Sequence, residues 1–379
     1  MIQVSRRNFI YGSAAAAFAL RSGVSQAADR FLLVGTQTLT GISKGIYGYT
    51  FREGELTQQA LAAEAENPTF LVLSPNRRTI IVANELDSYG GKSSGEISSY
   101  SLNPDRSLTL VNDVASRGAG PCHVAFDHTG RSAFAANYGG GSAASFSVAH
   151  DGRISSAVSF FQYSGSGPDS ARQKGPHAHR VTVSPDNRFL LVNDLGLDVI
   201  HIYRVDAATA MLTPNEPTSW RSAPGSGPRA LQFHPNGRAA YCVTEMASTV
   251  VVLRWDATRG ALETVQEVKM RPPDFQGVTA GSDIVIDREG RFAYAVDRFD
   301  DIIVTFSISA SDGTLTLMNR RSCGGKVPRH LALDPSGRWL LVANQESDNI
   351  YVLGRDARTG GLSGGKSFPI SRPQCLVFV

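Results

Sequence analysis

A unit of about fifty residues recurs along the whole chain, and this repeat limits the possible folds more than any other feature. Each copy opens on a short element, usually ending in proline, and continues as an alternating apolar strand, a tight turn and three further strands. Four antiparallel strands per unit is the pattern of a propeller blade. We therefore predict an all-β fold, a seven-bladed β-propeller. The opening elements are Asn67-Pro68, Gly120-Pro121, Gly175-Pro176, Gly227-Pro228, Gly281-Ser282, Val327-Pro328 and Arg372-Pro373.

The two ends of the chain hold complementary fragments of one blade. The last copy, from Pro373 to Val379, contains only a first strand. The missing strands stand at the other end of the sequence, at 31–37, at 45–51 and near Leu56. Pairing these fragments closes the ring and removes two open sheet edges, so we expect a single propeller domain over residues 29–379. A stack of separate β-sandwiches would not explain why the end fragments complement each other.

The N-terminal segment has the form of an export signal. The stretch SRRNFI at 5–10 is followed by a modestly apolar run to Leu20 and by small residues at Ser25, Ala27 and Ala28. This predicts a twin-arginine signal peptide over residues 1–28, recognised by the twin-arginine export machinery. The apolar run is too short for a stable membrane anchor. We therefore expect a periplasmic or otherwise exported protein.

The charge balance argues against a nucleic-acid-binding protein. The chain has 37 Lys and Arg against 34 Asp and Glu. Arg6, Arg7 and Arg21 lie in the predicted signal and account for the whole surplus, so the mature chain is expected to be neutral. Proteins that bind nucleic acid usually keep a basic surplus or a basic stripe, and this chain shows neither.

The sequence contains no recognisable cofactor motif. Its four cysteines are widely spaced, with no C-x-x-C and no C-x-x-C-H, so we predict no metal, haem or other cofactor and leave their disulfide state open. His177 and His179 stand two residues apart on one face of a strand, which keeps a metal site as an alternative. We expect a monomer.

Two positions in each blade should converge over one mouth of the central channel. They are the residue just after the opening element and the residue at the end of the second strand, 16 residues apart in most blades. These positions hold charged and polar residues where packing alone would accept apolar ones, which favours a binding or catalytic site over an ion-pair collar that seals the channel. Blade 3 has one extra residue before its first strand and gives His177 and His179 with Asp194. The other pairs are Thr69 and Glu85, Cys122 and Tyr138, Arg229 and Glu245, Ser282 and Arg298, Arg329 and Gln345, and Gln374 and Gln37, with His123, Asp283 and His330 one place further along the first strand.

Several short strings resemble one known family. They are PHAH at 176–179, DLGLD at 194–198, the Gly-Pro-Arg ending at Arg229, Thr244-Glu245, Asp297-Arg298, Pro328-Arg329-His330 and ANQESD at 343–348. Together with the repeat, over roughly residues 30–379, they resemble the seven-bladed lactonases, a family that includes propeller-type 6-phosphogluconolactonases and the fungal carboxymuconate cyclase.

The resemblance implies specific roles for these residues. It assigns catalysis to His179, Arg229, Glu245 and Arg298, with His177 a weaker choice than His179. We expect the substrate to be bound by His177, Asp194, Arg329, His330, Gln345 and Glu85. The chain departs from the family pattern at Ala230, where a His is usual, and at Asp283 and Val285 in the fifth blade. These departures leave the substrate open.

The resulting hypothesis is hydrolysis of a sugar-derived or similar anionic lactone. Arg229 and Arg298 would bind a carboxylate, a phosphate or the developing oxyanion, and either Glu245 or His179 would be the general base on water. No G-x-S-x-G motif is present, so an acyl-enzyme is not expected. The alternatives are a non-catalytic exported scaffold that binds a ligand or a protein, and a muconate-type lactonising cyclase.

Overall fold

The computed structural model describes residues 29–272 and 274–379 as seven four-stranded antiparallel sheets, which confirms the predicted seven-bladed all-β propeller. All its regular elements in these ranges are strands. The predicted signal peptide, residues 1–28, lies outside the described residues. No helix in the described ranges is long and apolar enough to cross a bilayer.

Blades 1 to 6 follow one another along the chain, each starting with the innermost strand. Blade 1 contains Pro68–Leu73, Thr79–Asn84, Glu96–Leu102 and Leu108–Ala115, and a small hairpin of Ser88–Tyr89 and Lys92–Ser93 projects from it. Blade 2 contains Pro121–Phe126, Ser132–Asn137, Ser142–Ser147 and Ser159–Gln162. Blade 3 contains Ala178–Val183, Phe189–Asp194, Val199–Asp206 and Met211–Arg221.

The remaining blades repeat this order, except that blade 7 is assembled from both chain ends. Blade 4 contains Pro228–Phe233, Ala239–Thr244, Thr249–Asp256 and Ala261–Lys269. Blade 5 contains Gly281–Ile286, Phe292–Asp297, Ile302–Ile308 and Leu315–Ser322. Blade 6 contains Pro328–Leu333, Trp339–Asn344, Asn349–Arg355 and Leu362–Pro369. Blade 7 contains Pro373–Phe378, Arg30–Thr36, Gly45–Arg52 and Glu55–Glu64.

Blade 7 closes the ring as the sequence predicts. Its innermost strand comes from the C-terminus and pairs with the first N-terminal strand, so that Val34 lies opposite Leu376 and Leu33 opposite Val377. The same C-terminal strand also contacts the innermost strands of blades 1 and 6. Both chain ends therefore contribute strands to the blade that closes the ring.

The core of the molecule lies between the blades. In the described residues, buried apolar side chains form seven clusters, and each cluster joins two neighbouring blades. Leu33, Leu71 and Cys375, for example, belong to the cluster between blades 7 and 1. All four cysteines are buried free thiols, which answers the disulfide question left open by the sequence.

The tight turns between first and second strands are those that the sequence indicates. Each ends on a residue with a left-handed backbone, such as Asn187 at φ 62° and Gly237 at φ 70°. An Asn or a Gly adopts this conformation at low cost. Because the turn sets the hairpin register, it fixes which residues of the two strands reach the opposite end of the blade, where the channel mouth lies.

The closing strand offers a direct test of ring closure. Leu376 is 3% exposed and packs into the cluster between blades 6 and 7, so we expect Leu376→Ala to lower the free energy of unfolding by about 2–5 kcal/mol. The neighbouring Val377 is only partly buried, and Val377→Ala is the matched control with a loss of about 1 kcal/mol. Urea unfolding of both variants measures the difference. A loss of less than about 1 kcal/mol for Leu376→Ala would contradict the packing of this strand between blades 6 and 7.

Candidate active site

A β-bulge at the start of every innermost strand builds the channel mouth. In blade 3, Ala178 pairs with Asp194 and Arg180 with Asn193, which leaves His179 without a partner residue. The same shift of register occurs in all seven blades. A bulge turns the extra side chain and its neighbour toward the same side. Two successive residues per blade can therefore face the channel, whereas a regular strand would offer one.

These paired side chains line a narrow cavity of about 30 Å³ at the centre of the ring. Five blades contribute both residues of the bulge. The lining is polar and charged for the most part, in contrast to the apolar surfaces between the blades. Its residues are Thr69, Phe70, Cys122, His123, His179, Arg180, Arg229, Ala230, Asp283, Arg329, His330 and Gln374.

The residue after each second strand lies above the bulge, as the sequence spacing predicts. The backbone N–H of Glu245 donates to the carbonyl of Gly227 at 2.7 Å, and that of Arg298 donates to Ala280 at 2.9 Å. The equivalent bond in blade 3 runs from Leu195 to His177 at 3.0 Å. His179 therefore pairs with Leu195 at the common spacing of 16 residues, and the pairing with Asp194 expected from the sequence is wrong by one residue.

Asp194 is accordingly not brought to the cavity. It is the last residue of its strand, is fully buried, and accepts backbone N–H bonds from His177, Gly196 and Leu197 at 2.8–3.1 Å. These bonds hold the loop above blade 3 in place. The structure thus shows Asp194 as an anchor of this loop, and its role in binding the substrate stays a prediction.

Glu245 is the centre of the site. Its side chain is 3% exposed, and its two oxygens contact three guanidinium groups. Oε2 lies 3.0 Å from Nε of Arg229 and 2.6 Å from Nη2 of Arg298, and Oε1 contacts Arg172. Burial alone would raise the pKa of Glu245, but the three cations outweigh burial and lower the pKa to about 2. This carboxylate therefore stays ionised and is a weak base.

Arg172 belongs to this cluster although the sequence reasoning missed it. It lies in the segment 163–177 that connects blades 2 and 3, outside the two positions per blade that the repeat singles out. Its guanidinium reaches Glu245 and lies 3.4 Å from the hydroxyl of Tyr138. In the sequence, Arg172 is marked only by its position shortly before the PHAH string at 176–179.

The two histidines of the PHAH string occupy different places. His179 lines the cavity, where burial together with the charges of Arg229, Arg329 and Arg298 lowers its pKa well below 6.5. His177 stacks on Tyr138 at 4.5 Å, and its Nδ1 lies 3.0 Å from the Tyr138 carbonyl oxygen. In the described ranges no group of three or more His, Cys, Asp or Glu side chains is placed to hold a metal ion.

His330 lies one place further along its strand than Arg329, and it contacts a buried carboxylate from the neighbouring blade. Its Nε2 is 3.9 Å from Oδ2 of Asp283, whose Oδ1 accepts a 2.8 Å bond from Arg180. Burial acts to raise the pKa of Asp283, but His330 and Arg180 outweigh it and lower the pKa. This group forms a second polar layer below the mouth.

The other expected binding residues lie at the mouth. Arg329 lines the cavity and donates through Nε to Oε1 of Gln374 at 3.0 Å. The amide of Gln345 donates to Glu346 at 2.9 Å. Glu85 occupies in blade 1 the position that Glu245 has in blade 4, and burial raises its pKa despite the charge of Arg329.

The fold and the site define a class of protein: a seven-bladed propeller with a buried carboxylate, a guanidinium cluster and a neutral histidine at one channel mouth. The family described as lactonase, 7-bladed beta-propeller, matches residues 31–378. The chain belongs to this family of lactonases, which are hydrolases.

Individual relatives agree with this assignment. The 6-phosphogluconolactonase of Bacillus subtilis is 33% identical over 350 residues, which cover 91% of this chain and 97% of the relative. The 6-phosphogluconolactonase of Formosa agariphila is 32% identical over 87% of this chain and 94% of the relative. Among solved structures, the periplasmic gluconolactonase PpgL of Pseudomonas aeruginosa has a TM-score of 0.86 at 33% identity and covers 93% of this chain and 99% of its own.

The lowered pKa of Glu245 predicts a pH-dependent contribution to stability. A carboxyl whose pKa falls from 4.5 to about 2 on folding contributes about 3 kcal/mol above pH 4.5. That contribution is lost as the pH falls toward 2, because the folded state must then take up a proton. We expect Glu245→Gln to be less stable than wild type by about this amount at pH 7.

Urea unfolding of both proteins at pH 7, 5, 4 and 3 measures the gap, which should narrow below pH 4.5. The matched control is Glu263→Gln, because Glu263 forms an exposed pair with Arg254. That variant should remain within about 1 kcal/mol of wild type at every pH. A gap for Glu245→Gln that does not change with pH would contradict the assignment.

Proposed function

We propose that this lactonase hydrolyses a sugar-derived lactone that carries an anionic group, with water activated at the mouth formed by blades 3 to 5. The observation that carries the proposal is the buried Glu245 carboxylate, which holds three guanidiniums beside a histidine of lowered pKa. Such an arrangement provides both halves of ester hydrolysis, a proton acceptor and a preorganised positive field.

The guanidiniums of Arg298 and Arg229 are assigned to the developing oxyanion. Both are fixed by Glu245, so they need no reorganisation as negative charge forms on the lactone carbonyl oxygen. Nε of Arg298 is a buried donor without a hydrogen-bond partner in the described residues. A buried donor of this kind is favourable only when a ligand oxygen accepts from it.

His179 is assigned the general base in preference to Glu245. A pKa well below 6.5 leaves the imidazole neutral at pH 7 with a free lone pair, whereas Glu245, with a pKa of about 2, is occupied by three cations. His179 would take a proton from water as the oxygen attacks the carbonyl carbon. When the ring C–O bond breaks, the same proton passes to the leaving ring oxygen, which becomes a hydroxyl group.

The charges at the mouth favour an anionic substrate. Four guanidiniums, those of Arg172, Arg229, Arg298 and Arg329, lie near one fully ionised carboxylate, Glu245. Burial and the neighbouring Arg298 and Arg329 lower the pKa of Arg229 to about 9, which reflects this crowding of positive charge. A phosphate or carboxylate on the substrate would relieve it. The names of the Bacillus and Formosa relatives indicate a phosphorylated gluconolactone as the first compound to test.

The hydrolysis assay follows acid release from 6-phosphoglucono-δ-lactone and from glucono-δ-lactone, corrected for spontaneous opening. We expect His179→Ala to lower kcat by about 10²- to 10⁴-fold with little change in KM, because the base acts on the transition state. His150→Ala is the matched control, since His150 is exposed on a turn, and it should retain full activity.

Full activity of His179→Ala would refute the role of this base. If the wild type opens neither lactone, nor any of a wider lactone panel, the scaffold alternative is favoured instead. Formation of a lactone from a carboxymuconate would favour the cyclase.

We also propose that the protein is exported to the periplasm by the twin-arginine route; the periplasmic Pseudomonas relative supports the location, and the SRRNFI stretch at 5–10 supports the route. Replacing both Arg6 and Arg7 by Lys should retain the protein in the cytoplasm, because the paired arginines are the recognised feature. Immunoblots of periplasmic and cytoplasmic fractions measure the distribution, with Arg21→Lys as the control within the same segment. Unchanged export of the double variant would exclude this route.

A further inference from the structure

Of the three guanidiniums that contact Glu245, Arg172 alone is substantially exposed. Its side chain is 41% exposed, whereas those of Arg229 and Arg298 are 6% and 12% exposed. Arg172 therefore keeps N–H donors that face solvent at the edge of the channel mouth, while it remains ion-paired with the buried carboxylate of Glu245. Burial alone would lower its pKa, but the charge of Glu245 outweighs burial and raises it, so the group is always charged.

The segment that carries Arg172 is held firmly in place. Gln173 is fully buried, and its amide nitrogen donates to the carbonyl of Leu195 and to Oδ1 of Asp198, each at 2.9 Å. Asp169 caps the same turn by accepting the backbone N–H of Arg172 at 3.0 Å. A side chain mounted on a fixed backbone loses less conformational entropy when it binds a ligand.

The same anchor reaches the start of blade 4. Oδ1 of Asp198, which accepts from Gln173, also accepts the backbone N–H of Gly227 at 2.8 Å. Gly227 lies two residues before Arg229. One hydrogen-bonded network thus positions the backbone that carries the exposed Arg172 and the backbone that carries the buried Arg229. The distance between the two guanidiniums is fixed by the same network.

The other arginines at the mouth have protein partners of their own, and the Nε of Arg298 that lacks one among the described residues is buried. Arg229 and Arg298 share Oε2 of Glu245, and Arg229 also donates to the carbonyl of Ser282. Arg329 donates to Gln374. A second anionic group, distant from the lactone carbonyl, would therefore meet Arg172 first.

We propose that Arg172 recognises the anionic group of the substrate and sets the preference of the enzyme for charged over neutral lactones, an inference that rests on the function proposed above. The lactone carbonyl would lie in the cavity beside His179, with the phosphate or carboxylate at the rim. A guanidinium and a phosphate form charge-assisted, often bidentate hydrogen bonds. A neutral sugar lactone offers no partner of this kind.

The test compares two lactones that differ only in the phosphate, 6-phosphoglucono-δ-lactone and glucono-δ-lactone. For Arg172→Gln we expect KM for the phosphorylated lactone to rise by about 10- to 100-fold with kcat nearly unchanged, since the contact is made before and during the reaction. The value of kcat/KM for the neutral lactone should also fall, because one of the three cations on Glu245 is lost, but by at least about fivefold less than that for the phosphorylated lactone. Arg172→Lys should fall between these limits, because it keeps the charge but not the bidentate geometry.

Lys174→Gln is the matched control. Lys174 is exposed on the same segment, and its replacement removes the same charge without affecting the contact to Glu245. It should leave both lactones unaffected. An equal loss of activity on both lactones in Arg172→Gln would overturn the proposal, because it would mean that Arg172 serves only to hold Glu245. No loss on either lactone would overturn it as well.

A binding measurement separates this proposal from the proposed function. Calorimetric titration with glucose 6-phosphate and with glucose needs no catalysis, because neither compound has a lactone bond. We expect the wild type to bind the phosphate more tightly than glucose, and Arg172→Gln to lose most of that difference. If the wild type opens no lactone but shows this pattern, the proposed function fails while the role of Arg172 stands. Equal binding of both sugars by the wild type would reject the role of Arg172.

Discussion

The structure depends on the burial of both faces of every four-stranded sheet. A sheet of this size can bury two apolar faces only between two neighbours, and the seven interblade clusters supply these contacts all the way round. Closure by the C-terminal strand gives blade 7 the same two neighbours as every other blade. Because the apolar side chains pack between blades, the inner ends of the first strands are left to line a polar channel.

The site uses this rigidity to hold like charges together. Three guanidiniums around Glu245 repel one another, and only a frame that cannot expand keeps them at hydrogen-bonding distance. The carboxylate reduces the repulsion without cancelling it, and burial together with the excess positive charge lowers the pKa of His179. In the mechanism that we propose, one electrostatic arrangement therefore serves the oxyanion contacts, the proton acceptor and the affinity for an anion.

Much of the fold followed from the sequence because its signals are local. The alternation within each strand, the turn residues such as Asn187 and Gly237, and the complementary end fragments are properties of short stretches of chain. Because the same unit recurs seven times, these local signals together predict a closed ring. The spacing of 16 residues then places Arg229, Glu245 and Arg298 over one mouth of its channel. The predicted pairing of His179 with Asp194 was wrong by one residue, because blade 3 has the common bulge and not the extra residue expected from the sequence.

The sequence by itself thus determined the number of blades, the way the ring closes and most of the residues that meet at its mouth. Only the tertiary structure decided what these residues do. The bulge that turns His179 and its neighbour into the channel depends on how two strands of blade 3 pair. The three cations that lower the pKa of Glu245, among them Arg172 from a connecting segment, come from separate parts of the ring. A pKa or a contact is set by distances through space, and distances between residues far apart in the chain exist only once the ring has closed.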